Sequence, residues 1–223
     1  MRFSVFRDFS SIQFVRCWAQ LPNKDFGVGG CAFGLKTAVA KCRSEYAERL
    51  YQTQILHSQG MLPLGIAAHP TEPLKAKESA IYEAKEELVL QKLKTSGEFH
   101  ARILLKSKNF TLGVVQLSGS GYIALLRARC QKKPMLFYSA RRTLLQTLLK
   151  VWEEYRNPLF YNPSEDLLKK YSKSSKLFSD QEILALKFLR SKEVFIVPQI
   201  NPDQITTDSY RGHHIVYVKR SVL

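Results

Sequence analysis

No apolar run in this 223-residue chain reaches the roughly 18 residues that a membrane-crossing helix requires. The opening stretch, MRFSVFRDFSS, lacks the long apolar core of a secretory signal. Cysteine is sparse: Cys17, Cys31, Cys42 and Cys130 show neither metal-ligand spacing nor a paired framework, so reduced thiols and a cytoplasmic location are expected. The five histidines (His57, His69, His100, His213, His214) fit no zinc-ligand spacing, and packing or surface roles are expected for them. No Gly-x-Ser-x-Gly elbow and no evident Cys/His pair marks a nucleophile. Acidic residues are also few, 19 against 34 Lys and Arg, which leaves a net charge of +15. Such a balance favours acidic or polyanionic partners. The basic residues are scattered, however, and no RNA-recognition, zinc-finger or helix-turn-helix pattern accompanies them, so nucleic-acid binding rests on charge alone.

What the chain does contain is two glutamate pairs of equal spacing. Glu45 and Glu48 lie in KCRSEYAER, and Glu83 and Glu86 lie in SAIYEAKEEL. Residues three apart share a helix face, so each pair aims two carboxylates in one direction. Like charges so placed repel by roughly 0.2–0.5 kcal/mol. Four carboxylates converging from adjacent helices would need protons, cations or a divalent metal to relieve the repulsion. A solvated helix face is the plain alternative for each pair.

A glycine-rich stretch, GVGGCAFG (Gly27 to Gly34), precedes the first helix and reads as a loop. Gly29-x4-Gly34 is followed by Leu35-Lys36-Thr37, one residue out of step with a phosphate-binding P-loop. That extra residue turns Lys36 by ~100° about the helix. A glycine-rich backbone entering a helix N-terminus remains a generic anion site, with a simple tight turn as the alternative.

The periodicities predict a strand over Phe14 to Leu21 and a helix from about Thr37 to Gln52. A second helix runs from about Leu74 to Lys94, with Thr71 as its N-cap and Pro73 in its first turn. Residues 101–105, 110–117 and 121–130 read as strands. A third helix is expected from Ala140 to Arg156, burying Leu144, Leu148, Val151, Trp152 and Tyr155 and stopping before Asn157-Pro158. Both tryptophans, Trp18 and Trp152, are expected in the core. Residues 157–178 read as a linker-like segment, followed by a short helix near Asp180 to Arg190 and strands at 193–198 and 213–219. Mixed elements without strict alternation indicate an α+β fold, a single domain with helices packed on a largely antiparallel mixed sheet.

These segments, taken in order, resemble the YcaO-domain family. AVAKCRSEYAER is similar to its first signature, Ser-x3-Glu-x2-Glu followed by Arg. LPLGIAAHPTEPLKAKESAIYEAKEEL is similar to its Gly-Leu-Ala-Ala turn and the Glu-x2-Glu-Arg helix after it. The strands at 110–130, the helix ending WEEYR and the C-terminal RGHHIVYVKR resemble its later core. The chain departs from the family pattern at Lys41, where the family has serine, and at Glu87, where it has arginine. The segment between the two acidic helices is also shorter than in typical members.

The resemblance implies an ATP and Mg²⁺ site without a P-loop, with Glu45, Glu48, Glu83 and Glu86 as metal and phosphate ligands and Lys36 as a further nucleotide contact. Glu153 or Glu154 is the expected third acidic contact. It further implies activation of a peptide backbone amide, as in cyclodehydration or thioamidation, on a peptide or protein substrate. A partner protein would aid recognition, since no leader-binding segment is expected ahead of the core, and a homodimer is a further expectation. Two alternatives stand beside it: a non-catalytic YcaO-like scaffold or partner-binding module, and a basic nucleic-acid-binding protein.

Overall fold

The computed structural model describes residues 3–7, 15–21, 27–32, 34–96, 98–130, 133–159, 187–190 and 199–220. Its contacts divide the chain into two compact units, residues 1–84 with 200–223 and residues 85–199. Helices and largely antiparallel sheets build both, an α+β fold as the periodicities indicate.

The first unit holds two three-stranded antiparallel sheets. One is formed by β1 (Phe3–Arg7), β2 (Val15–Gln20) and β3 (Gly27–Ala32); the other orders β10 (Ile205–Tyr210), β11 (His213–Val218) and β4 (Gly65–His69). Helix α1 (Leu35–Tyr51) packs on β2 and β3 and also meets β4 and β11. Ala38, Cys42 and Leu50 of α1 bury with Leu21, Val28 and Ala32. Cys42 is a buried thiol that donates to the Val28 carbonyl at 3.6 Å.

The glycine stretch is therefore strand β3 rather than a loop. A side chain on Gly30 would collide with the Ala38 carbonyl and the Cys42 amide, so glycine allows α1 to lie against this strand. Gly65 plays the same part under helix α2 (Pro73–Ser96), where a Cβ would strike the Ala80 carbonyl and the Ala84 amide.

α2 begins at Pro73, which suits the first helical position because its missing N–H has no partner to lose there. α2 starts one residue past where a Thr71 cap would put it, and the two amides ahead of it are met by His69, whose Nδ1 accepts the Glu72 amide at 2.9 Å and the Thr71 amide at 3.3 Å. Replacing His69 with alanine should cost about 1 kcal/mol, the usual net worth of such a hydrogen bond. Melting curves should show a drop of roughly 2–4 °C; an unchanged midpoint would mean water serves equally well.

Past α1, residues Gln52–Leu56 form a π-helical turn and His57–Gln59 a 3₁₀ turn. Tyr51, buried at the end of α1, donates to Asp208 on β10 at 2.6 Å and stacks edge-on against Tyr210. Burial and this hydrogen bond push the Tyr51 phenol above its ordinary range, and the same bond, aided by the Ser209 amide, pulls the Asp208 carboxyl down. Stability from Asp208 is present above the ordinary aspartate value near 4 and is lost as pH falls below it. Stability from Tyr51 is present below about pH 10 and is lost as pH rises beyond. Tyr51→Phe should flatten the pH dependence of melting at both extremes; identical profiles would count against the pairing.

The second unit is a five-stranded sheet in the order β8 (Lys133–Arg141), β7 (Tyr122–Cys130), β6 (Phe110–Gln116), β5 (Glu98–Lys106), β9 (Lys187–Arg190). Only the β5–β9 pair is parallel. Helix α3 (Leu144–Leu159) packs on β7 and β8, burying Val151 with Ala124, Leu126, Ala128 and Phe137.

Three expectations fail here. Residues 133–141 form a strand, so α3 starts four residues later than expected: Met135 to Ala140 pair in register with β7 and are drawn into the sheet. α3 also continues through Asn157-Pro158 to Leu159, within its last turn. Lys187–Arg190 form β9 instead of helix. The rest of that expected helix, the strand at 193–198 and residues 160–178 of the linker-like segment lie outside the described residues. Strands β1, β4 and β10 were not anticipated.

Candidate functional site

α1 and α2 present the glutamates as their spacing requires, and Arg49 organises the first three of them. Its Nε meets Glu45 Oε1 at 2.9 Å and its Nη2 lies 3.5 Å from Glu48 Oε1. Glu45, then Glu48 and Glu83, hold the guanidinium charged, pushing it above its ordinary range against the opposing effect of burial. Nη1 of Arg49 also donates to Gln52 Oε1 at 3.0 Å. Glu48 is buried, at 4% exposure, whereas Glu45 is partly open to solvent. Glu45, Glu48 and Glu83 thus gather on one cation within the first unit.

Glu83 has a second task. Its Oε2 accepts the backbone N–H of Ile66 at 3.3 Å, on β4, which ends its sheet among the described strands. Glu86 does the same in the second unit. Its Oε1 accepts the Ala140 N–H at 2.6 Å, on the end strand β8, and lies 3.6 Å from Arg141 Nη1. Glu86 is 4% exposed, and a carboxylate so buried requires such partners. Each member of the α2 pair therefore seals a backbone donor of a different sheet.

The remaining expected residues are placed otherwise. Lys36 is exposed and stands nine residues before Glu45 on α1, a rise of roughly 13 Å and a turn of about 180°, so it faces away from the glutamates. Glu153 and Glu154 meet Lys150 on their own helix at 3.5 and 2.9 Å. Glu154 first, then Glu153, push the Lys150 ammonium up to about 12 against its burial. Glu87 accepts from Gln91 at 3.2 Å.

The glutamate oxygens are the hard donors that Mg²⁺ prefers. Their placement does not suit it: among the described residues, no three His, Cys, Asp or Glu side chains gather as a metal ion needs. Sequence reasoning passed over Arg49 and Arg141 as partners. Arg49 had a signal, since it closes the Glu-x2-Glu-Arg run at i+4 from Glu45. Arg141 had none, because it lies in the unrecognised strand. His214 and His69 are direct cross-strand partners between β11 and β4, a pairing no spacing rule reveals.

Compared with known proteins, the chain matches no family model, and no curated protein or solved structure is significantly similar to it.

Proposed function

We propose that this chain is a divergent YcaO-like protein serving as a non-catalytic, partner-binding module in peptide or protein modification. The observation that carries this reading is the engagement of all four glutamates. Glu45 and Glu48 hold Arg49, Glu83 holds the Ile66 amide, and Glu86 holds the Ala140 amide and Arg141. Carboxylates so committed stabilise strands and helices, and a metal ion would have to displace those partners. The family likeness rests on the motif order of the sequence, and fold alone does not establish chemistry.

A thermal melt with and without millimolar Mg-ATP tests the proposal. No change in midpoint is expected. A ligand present at a hundredfold over its dissociation constant would add about 2.7 kcal/mol, roughly 5–10 °C for a chain of this size. A rise of that kind would overturn the non-catalytic reading.

One observation favours a second reading, ATP- and Mg²⁺-dependent activation of a peptide backbone amide. Glu45, Glu48 and Glu83 all face the Arg49 guanidinium within the first unit, and carboxylate oxygens are the hard donors Mg²⁺ takes. Glu45, Glu48 and Glu83 would then have to leave their present partners, and no catalytic step is derived from their placement. Titration calorimetry separates the two: Mg²⁺-dependent ATP uptake abolished by Glu45→Gln supports the second reading, and absence of heat at millimolar ATP removes it.

A further inference from the structure

Helix α3 is apolar over more of its circumference than its packing uses. Leu144, Leu148, Val151 and Tyr155 turn toward the sheet, where Tyr155 stacks edge-on against Phe137 at 5.4 Å. Beside that buried face runs a second row, Leu145, Leu149 and Trp152, at 67%, 58% and 45% exposure. Single exposed leucines are ordinary, whereas a row ending in tryptophan is a patch. Trp152 was expected in the core and instead lies open, 5.3 Å from the Tyr155 ring.

We infer that this row is a dimer interface, on which a second copy of the chain lays its own α3 antiparallel with Leu149 beside Leu149. A two-fold contact must be self-complementary, the same patch serving both copies. With the axis at Leu149 and a rise of about 1.5 Å per residue, Leu145 of one copy comes to within about one residue of the level of Trp152 in the other. Leucine thus meets leucine at the centre, and the indole covers a leucine at each end. Spacings of four and three residues form the ridges by which helices interlock.

Charge selects the antiparallel order. Arg142, exposed two residues ahead of α3, marks one end of the row, and Glu153 follows Trp152 at the other. Lys150 is held by Glu154 at 2.9 Å and stands further from Glu153, at 3.5 Å. A carboxylate has room for a second cation. In the antiparallel pair each Arg142 lies about one helical turn, roughly 5 Å, from the level of Glu153 in the other copy. The two Glu153 side chains are then eight residues apart in level, roughly 12 Å, and the two Arg142 still further, beyond the reach that salt leaves to exposed charges. A parallel pair would set each group against its own kind. Glu153 beside the row also opposes an acidic helix or an anionic lipid surface. The row lies wholly in the second unit and does not depend on how the glutamates of the first are used.

A single pair of helices buries little area, at or below the low end near 1,200 Å², so a micromolar or weaker dimer is expected. Sedimentation of the full chain from low micromolar to near-millimolar concentration tests it. Physiological ionic strength is used, because it screens the net +15 that each copy carries. A reversible monomer–dimer equilibrium is expected, with tryptophan emission moving to the blue as Trp152 is covered. Leu149→Asp should weaken the dimer about a hundredfold, tenfold in each half of the symmetric contact. Circular dichroism checks that this surface variant stays folded. Arg142→Glu should weaken the dimer severalfold, and adding Glu153→Lys in the same chain should restore it. The inference is overturned by a chain that stays monomeric at near-millimolar concentration or by a dimer that survives Leu149→Asp. It is equally overturned by a double variant no tighter than Arg142→Glu alone. An emission shift on phosphatidylserine-containing vesicles that Leu149→Asp abolishes would assign the row to a membrane and also overturn it.

Discussion

Replacing Glu86 with alanine is expected to destabilise the protein by about 3 kcal/mol, a large share of the 5–15 kcal/mol typical of folded proteins. The side chain is buried on α2 and accepts the Ala140 amide at 2.6 Å while facing Arg141 at 3.6 Å. Truncation leaves a backbone donor unmatched and a guanidinium short of a counter-charge, each costing on the order of 1–3 kcal/mol, with Arg141 at the lower end because it is part exposed. Glu86→Gln keeps an acceptor for the amide and loses only the charge, so about half that loss is expected. Urea denaturation of both variants measures the difference, and amide exchange at Ala140 should quicken in the alanine variant. Equal stability of wild type and Glu86→Ala would show that the carboxylate is held there for another purpose.

The second large effect is expected at Gly65. A Cβ there meets the Ala80 carbonyl and the Ala84 amide and Cα, all main-chain atoms of α2 that cannot swing aside as a side chain would. Gly65→Val should cost about 4 kcal/mol or more, since overpacking against rigid backbone lies beyond the usual 1–3 kcal/mol of a crowded core. At this chain length the melting temperature should fall by roughly 8–16 °C, or the protein should fail to fold. Gly30→Val should behave alike, because Gly30 meets the Ala38 carbonyl and the Cys42 amide of α1. Gly34, whose added Cβ would meet nothing within 4 Å, is the control: as the N-cap of α1 it should lose only about 1 kcal/mol on Gly34→Ala, with no clash.

Much of the architecture was legible before coordinates. The stripe of Val39, Cys42, Tyr46 and Leu50 identifies α1, that of Leu74, Ile81 and Leu88 with Ala80 and Ala84 identifies α2, and the alternation from Tyr122 to Cys130 identifies β7, because periods of 3.6 and 2 sit plainly in those residues. β8 was missed because Leu136 to Ala140 are all buried, Ser139 among them, so the strand faces protein on both sides and shows no polar alternation. GVGGCA read as a loop because glycine signals turns; its role here is to thin a strand beneath a helix, a tertiary demand that local propensity does not carry.

The glutamate site was half legible. Spacing identified the helices that carry Glu45, Glu48, Glu83 and Glu86, but Glu83 and Glu86 engage different sheets rather than one common site. It could not say what would meet them, since Ile66 and Ala140 offer main-chain donors that every residue type shares and no side-chain pattern announces. Trp152 illustrates the converse: a helical stripe reveals apolar residues without saying which of two adjacent rows the sheet will cover.

The use of Glu83 and Glu86 against strands that end their sheets among the described residues reaches beyond the stability of one molecule. An open ladder invites extension by another chain, and a carboxylate seated on its amide blocks that growth with both bulk and charge. Losing either glutamate is therefore expected to yield insoluble, fibril-like material at high concentration as readily as a lower melting point. What resembles a ligand set can thus be understood as a guard against intermolecular strand pairing.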